Sequence, residues 1–533
     1  MTISEERVAP ADLHDQVRNL LGGMELRPQG QVSPSVYETA RVVSHAPWLN
    51  GQAGRIGYLL ATQRPDGAWG APGGYALVPT ISATEALFAT LHDIAAGRQP
   101  GERRAEIARA VDRGLTALAH LVATPALAMP DLPAADLIVP VLTERINHHL
   151  AELGARPLAE LTARRGGEPL PLPQAMTDRR LVMVRQMVAS GQPLPQKLVH
   201  ALEILGEQAR GFAGVRPVGG AIGAAPAASA AWLRGPQDNS VVVQYLATAG
   251  RASDGAVPCT TPISVFERSW VLASLVRAGV PLEVPSTLVT SLVQSLGATG
   301  AATSPGLPDD ADTTSVTLYA LARLGYPVAP ESLWHYDVGG YFCTWRGEDG
   351  SSITTNAHAL EMLCWWSRHA GRDDARWATA AESVTGWLLA QQCADGQWDD
   401  RWHASPYYAT SSAAVALAGY GSGADVAPAV DRAVEWMLRT QRADGSWGRW
   451  DGTAEETAYA LHLLCVADPA RHPGIDAAIA GGAEFLDRVD LDAEQPALWH
   501  DKDLYHPTAI VQAAVLAARH VCATRSRLSA ESR

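Results

Sequence analysis

The residues best suited to chemistry stand together in Leu307–Leu318, LPDDADTTSVTL. Asp310, Asp312, Thr313 and Thr314 crowd the mouth of an apolar run that continues through Val316, Leu318, Tyr319 and Leu321. Asp and Thr oxygens accept the free N–H groups of a first helical turn, so the stretch reads as a helix start. It also reads as something more reactive. A carboxylic acid at the edge of an apolar cavity, with a second carboxyl beside it, has its pKa raised and can protonate a very weak base. The rest of the chain decides between an over-furnished cap and such an acid.

With 533 residues the chain is long for one core, and two or more domains are expected. Its 47% hydrophobic and 18% charged residues suit a folded globular protein. The formal charge is −14 and Lys197 and Lys502 are its two lysines, which argues against a nucleic-acid partner. An anionic ligand must then be met by a few arginines or through a metal. Cys259, Cys343, Cys364, Cys393, Cys465 and Cys522 lie far apart with no CxxC pair, which points to a reduced, cytoplasmic setting rather than a zinc cluster. The N-terminal MTISEERVAPADLHDQ is unlike a signal peptide, and no apolar stretch has the length of a membrane span, so no stable membrane anchor is expected. Trp (16) and Tyr (13) outnumber Phe (5), which suits core and turn anchors and also an aromatic-lined pocket.

The elements that must position these groups read as helices throughout: Ala-, Leu- and Val-rich segments at helical spacing alternate with Gly/Pro/Asp turns, and no good strand is found. Two repeats organise them. One is a Gln followed by Asp-Gly-x-Trp, at 59–70, 388–398 and 437–448, where the Trp can cover a helix end and the Gln can bond loose carbonyls. The other is a Ser/Thr/Asn helix start with small residues, at Ser33, Thr80, Thr313, Asn356, Thr410, Thr457 and Thr508. Five such starts follow residue 300. Adding the helix after Ser33 would close a six-helix inner ring. The expected architecture is therefore all-α, with two α/α barrels: one built from 1–48 and 281–533, and a second, 49–280, inserted into it. Pro-rich loops are read at 123–140 and 167–174, and a disordered tail after Ala523.

Asp-Gly-x-Trp turns combined with an acid motif before a helix resemble the class II terpene cyclases, the group of squalene–hopene cyclase and the copalyl diphosphate synthases. The resemblance covers nearly the whole chain. The family's D-x-D-D-T motif aligns with Asp310-Ala311-Asp312-Thr313-Thr314, which implies Asp312 as proton donor, Asp310 as its hydrogen-bonding neighbour, and Thr313 in place of the last Asp. The register starting at Asp309 would leave Ala at the donor position. LPQKLVHALEIL (193–205), APAASAAWL (225–233) and DGAVPCTTPISVFERSW (254–270) resemble stretches of the plant copalyl enzymes and favour diterpene over triterpene substrates.

The resemblance implies cyclisation of geranylgeranyl diphosphate to copalyl diphosphate, the ent isomer, closest in kind to the bacterial ent-copalyl diphosphate synthases. It implies His200 in a base that removes the last proton, with Cys259 where relatives carry Asn. Arg401 and Arg180 stand near family lysines and suit phosphate oxygens. Trp345, Trp365, Trp366 and Tyr319 are candidates for aromatic faces that stabilise carbocations. For the diphosphate, the DxxxxE spacing of Asp451 and Glu456 is the candidate Mg²⁺ site, its other reading being a helix cap. DDADT, DDARW and DDRWH all fail the DDxxD pattern that ionises a diphosphate, so the diphosphate should survive and pass to a downstream class I diterpene synthase. A helical-barrel glycoside hydrolase and a non-catalytic α/α-barrel binding module are the alternatives.

Overall fold

The computed structural model describes residues 13–531 apart from 126, 175 and 239; most of the N-terminal stretch read against a signal peptide lies outside them. The chain is all-α. Six helices, Ser264–Arg277, Ala311–Arg323, Ile353–His369, Pro406–Tyr420, Ala454–Val466 and Thr508–Glu531, each pack on the next, and the last returns to the first. They form the inner ring of one barrel. Ser286–Ser295, Ala375–Ala390, Val426–Thr440, Ile475–Arg488 and Leu13–Leu26 form its outer layer. A second, smaller ring closes through Val36–His45, Leu77–Ala95, Ala135–Ala155, the 3₁₀ segment Leu202–Ala209 and Pro226–Trp232.

This packing corrects the expected membership of the rings. The helix after Ser33 packs on Leu77–Ala95 and Pro226–Trp232, so it belongs to the smaller ring. The sixth inner helix of the larger ring is Ser264–Arg277, which 49–280 had assigned to the insert. Its start at Ile263 has no side-chain cap, so it lacks the Ser/Thr signature of its neighbours. The N-terminal contribution to the larger barrel is instead Leu13–Leu26, whose Val17, Leu20, Leu21 and Met24 join the larger core. The tail after Ala523 is not disordered as far as Glu531 but continues the last helix. The loop read over 123–140 gives way to a helix at Ala135, with Pro140 inside it.

The two repeats are one device. Trp69, Trp398 and Trp447 are fully buried, and their indole N–H groups donate to Leu59 O, Leu388 O and Met437 O at 2.7, 2.9 and 2.8 Å. Gln63, Gln392 and Gln441 each bond the carbonyl of their own Gly and one on a neighbouring helix: Ala110, Ala429 and Ala478. The backbone N–H of each Trp is accepted by the hydroxyl of Thr80, Thr410 or Thr457, the threonines of the helix-start repeat. Gly67, Gly396 and Gly445 take φ of +87°, +103° and +88°, which a side chain would resist. Each turn thereby ties an outer helix to the next inner one.

Where no strand was expected, a short ribbon pairs Trp499–His500 with Leu504–Tyr505. It wedges between the rings: Leu498 and Leu504 enter the smaller core while Trp499 and Tyr505 enter the larger. Lys502 at its tip is fully buried; its ammonium forms an ion pair with Glu38 Oε1 at 2.5 Å and donates to Glu203 Oε1 at 2.9 Å and His200 O at 2.8 Å. Glu38 and Glu203 both belong to the smaller ring. A buried charge of this kind persists only when paired and hydrogen-bonded.

Candidate active site

Between the two cores lies a cavity of about 530 Å³. The larger barrel contributes Asp310, Asp312, Thr313, Trp345, Glu348, Arg401 and Trp402 to its lining; the smaller contributes Asp131, Asp136, Arg180, Lys197 and His200; the ribbon adds Trp499, His500, Asp501 and Tyr505.

Asp310 is the N-cap of Ala311–Arg323, its Oδ1 accepting from Thr313 N at 2.6 Å and its Oδ2 from Thr303 Oγ1 at 3.3 Å. Burial raises its pKa to about 7, and the nearby Asp312 carboxylate adds to the rise. Asp310 is thus both the cap and a perturbed acid. It is not the hydrogen-bonding neighbour expected for Asp312. That partner is His358, whose Nδ1 lies 2.6 Å from Asp312 Oδ1. Thr313 reaches Thr303 instead, at 3.0 Å between hydroxyls. His358 lies two residues past the helix start read at Asn356, and its separation of 46 residues from Asp312 carries no local signal. Trp270 stands edge-on to the His358 ring at 5.5 Å, and its N–H donates to Tyr408 OH at 2.9 Å, so the imidazole is walled by aromatic surface.

His200 lines the cavity as expected. Its Nδ1 is 2.6 Å from Gly223 O and its Nε2 is 2.9 Å from Asp501 Oδ1. Burial alone would lower the His200 pKa, but the Asp501 carboxylate outweighs it and the net shift is upward. Burial likewise would raise Asp501, yet His200 and Lys502 leave it below its ordinary value. The two therefore form an ion pair, and among the described residues both hydrogen bonds to the Asp501 side chain are accepted at Oδ1. Cys259 does not join them. It is fully buried outside the cavity lining, its thiol donates to Asp503 O at 3.6 Å, and burial pushes its pKa well up. Its neighbour Thr260 reaches the cavity wall instead.

Of the four aromatic candidates, Trp345 alone lines the cavity, edge-on to Trp402 at 5.0 Å. Tyr319 is buried in the larger core, where its hydroxyl meets Arg323 and Tyr420. Trp365 stacks on His369 at the far end of its helix, and Trp366 also lies outside the lining. Helical spacing places Tyr319 one to two turns, and Trp365 and Trp366 more than two turns, beyond the inward-facing first turn of their helices. The aromatic wall is made by Phe266, Trp402, Trp499 and Tyr505, which the sequence reading missed.

Arg180 and Arg401 both line the cavity, where they meet carboxylates: Arg180 with Asp136 at 2.9 Å, Arg401 with Asp131 at 2.7 Å and Glu348 at 3.1 Å. Arg401 Nε and Trp345 Nε1 are buried with no hydrogen-bond partner among the described residues. Buried donors are normally satisfied, so these two suit an acceptor supplied by a ligand.

Asp451 and Glu456 do not form a metal site. Glu456 closes a capping box: Thr453 Oγ1 accepts from Glu456 N at 3.0 Å and donates to Glu456 Oε2 at 2.9 Å, while Glu456 Oε1 accepts from Arg449 N at 2.8 Å. Asp451 is exposed in the preceding turn, and neither residue lines the cavity.

The model of the squalene-hopene cyclase C-terminal domain matches residues 348–469. The chain is 41% identical over 509 residues to an ent-copalyl diphosphate synthase of Streptomyces sp. (strain KO-3988), covering 95% of each chain. It is 40% identical to a labda-7,13-dienyl diphosphate synthase of Streptomyces clavuligerus, covering 95% of this chain and 93% of that one. The structure of ent-copalyl diphosphate synthase from Streptomyces platensis matches with a TM-score of 0.90 and 41% identity, covering 96% of this chain and all of the other. These relatives overturn the expected Mg²⁺. Their named products keep the diphosphate, and cyclases of this class act by protonation and need no metal. With this identity over nearly the full length and a closely shared fold, the chain belongs to the class II terpene cyclases.

Proposed function

We infer that this enzyme converts geranylgeranyl diphosphate to copalyl diphosphate by protonation-initiated cyclisation, an intramolecular isomerisation that retains the diphosphate. The observation that carries the reading is Asp312, held by His358 in a cavity walled by aromatic rings. With His358 Nδ1–H donating to Oδ1, the acidic proton sits on Oδ2 and is free to enter the cavity. That hydrogen bond stays with the carboxylate once the proton has been given up. The proton adds to the terminal alkene, internal alkenes close two rings in turn, and Trp345, Trp402, Trp499, Phe266 and Tyr505 offer aromatic faces to the migrating positive charge.

Termination needs a base. We assign it to the Asp501–His200 pair, Asp501 Oδ2 being the oxygen that takes the final proton directly or through a water. Lys502 and the Gly223 carbonyl fix the pair from behind. At the cavity mouth Arg180, Lys197 and Arg401, with the unpartnered donors Arg401 Nε and Trp345 Nε1, are placed to meet the diphosphate once Asp131 and Asp136 release their arginines. Binding of this kind matches the charge of a diphosphate without a metal.

The ent configuration is proposed from the two relatives named for it. A relative of similar identity bears the name of a different alkene isomer, which supports placing product choice in the base and the wall rather than in overall likeness. A cytoplasmic setting, and a class I synthase that ionises the product, complete the proposal. The test is incubation with geranylgeranyl diphosphate in the presence of a chelator, dephosphorylation, and chiral analysis of the extract against the copalol enantiomers. Recovery of geranylgeraniol alone would overturn it.

A further inference from the structure

The smaller barrel carries a cluster that cyclisation does not use. His92, near the end of Leu77–Ala95, and His149 and Glu152, on Ala135–Ala155, each offer one ligand atom, and the three atoms lie within 4.8 Å of one another. The two helices pack directly together. We propose that His92, His149 and Glu152 bind a transition-metal dication of the zinc class, which braces these two helices.

Several independent features favour a ligand here over a packed pair of histidines. His92 Nε2 and His149 Nδ1 are both buried with no hydrogen-bond partner among the described residues, although such atoms are normally satisfied. His92 Nε2 lies 4.0 Å from Glu152 Oε2. The other ring nitrogen of His149, Nε2, is 3.5 Å from Glu85, a buried carboxylate itself held by Arg41 at 2.6 Å. A carboxylate there keeps the proton on Nε2 and leaves the Nδ1 lone pair for a metal, the arrangement that ligating histidines use. Phe88 stacks on both imidazoles at ring distances of 5.4 and 5.0 Å, shielding the site on its apolar side.

The donor set selects the metal. Two imidazoles and one carboxylate suit Zn²⁺ and its neighbours, whereas Mg²⁺ and Ca²⁺ prefer oxygen alone. Tetrahedral bonds of about 2.0–2.1 Å put ligand atoms roughly 3.4 Å apart, so the cluster closes by about an ångström, with water as the fourth ligand. The two imidazoles stack at 5.3 Å and 24°, so one ring must turn about its χ2 for both lone pairs to meet the ion, and Glu152, the most exposed of the three ligands, makes the rest of the movement. Its competitors are His148 at 3.6 Å and Arg156 at 3.8 Å, and Arg145 faces Glu85 at 3.5 Å. The site lies about 20 Å along the helix from Asp136 at the cavity, so it is structural and no step of the cyclisation passes through it.

The test uses the full-length protein, freed of any purification tag and dialysed against a chelator. Titration with Zn²⁺ is expected to show one equivalent bound and a rise in Tm that grows with free metal, with Mg²⁺ and Ca²⁺ giving neither. Co²⁺ should give the intense visible bands of a tetrahedral site. His92→Ala and, separately, Glu152→Gln should each weaken Zn²⁺ binding at least about 100-fold and remove the Tm rise, while cyclase turnover stays at the wild-type level and reports a correct fold. Absence of the one-equivalent binding, or binding that survives both substitutions, would overturn the site. Because turnover is read alongside, a failure of the cyclase assignment would be seen separately.

Discussion

His358 Nδ1 lies 2.6 Å from Asp312 Oδ1, a contact that joins two inner helices of the larger barrel at the floor of the cavity. In the proposed mechanism it directs Asp312 as the acid, while Asp310 caps the helix. Asp312→Asn should lower turnover by at least about 10³-fold with an unchanged circular dichroism spectrum. Asp310→Asn should be severe, and Asp309→Asn mild, since the Asp309 carboxylate accepts from Thr299 and does not line the cavity. His358→Phe should lower kcat by about 10²-fold and shift the pH–rate profile with little change in KM. A greater loss at Asp309 than at Asp310, in a direct rate comparison, would mean that the acid register is displaced by one.

Stability should fall as pH rises through the acid range to neutrality. Asp310 has a folded pKa of about 7 against an ordinary value of 3.8, so the folded state binds more protons between these values. Stability then declines with rising pH across that window, by an amount on the order of a few kcal/mol, and levels off above about 7. Asp310→Asn removes this titration. Thermal unfolding at pH 5 and pH 8 should show a smaller loss in the variant than in the wild type.

The ion pair of His200 with Asp501 should govern the last step alone. Asp501→Asn is expected to lower alkene formation about 10²-fold and to divert part of the flux to a hydroxylated diphosphate, as water captures the cation. Cys259→Ser should leave the product unchanged, because the thiol faces Asp503 O rather than the cavity. Product analysis by mass spectrometry after dephosphorylation reads both.

Glu456→Gln should cost about 0.5–2 kcal/mol of stability, as loss of a capping interaction does, and leave turnover in chelator unaltered. A chelator-sensitive rate in the wild type that the variant abolishes would restore a metal to this turn.

Leu13–Leu26 buries Val17, Leu20, Leu21 and Met24 in the larger core, each worth about 1.5–3 kcal/mol. Deleting residues 1–30 removes a sum comparable to the stability of a whole domain. A fragment of 259–533 should therefore fail to unfold cooperatively in a thermal scan. A sharp transition in that fragment would mean that the larger barrel does not require the N-terminal helix.

The sequence by itself determined what rests on local chemistry and period. Helical spacing, the Asp-Gly-x-Trp turns and the acid motif sufficed for an all-α double barrel, for Asp312 and Asp310 at the cavity, and for the family, whose resemblance over 193–205 implied His200. These signals are contained within a dozen residues or fewer. Tertiary structure decided what depends on separations of tens to hundreds of residues. His358 meets Asp312 across 46 positions, and Asp501 meets His200 across 301. No local pattern marks such partners, because ring closure alone brings them together. The same holds for the sixth inner helix, whose uncapped start hid it, and for Trp365, Trp366 and Tyr319, whose side chains were right in type but stand beyond the helix ends that face the cavity. Glu456 shows the converse: spacing offered two carboxylates, and the fold had already committed Glu456 to its own helix start.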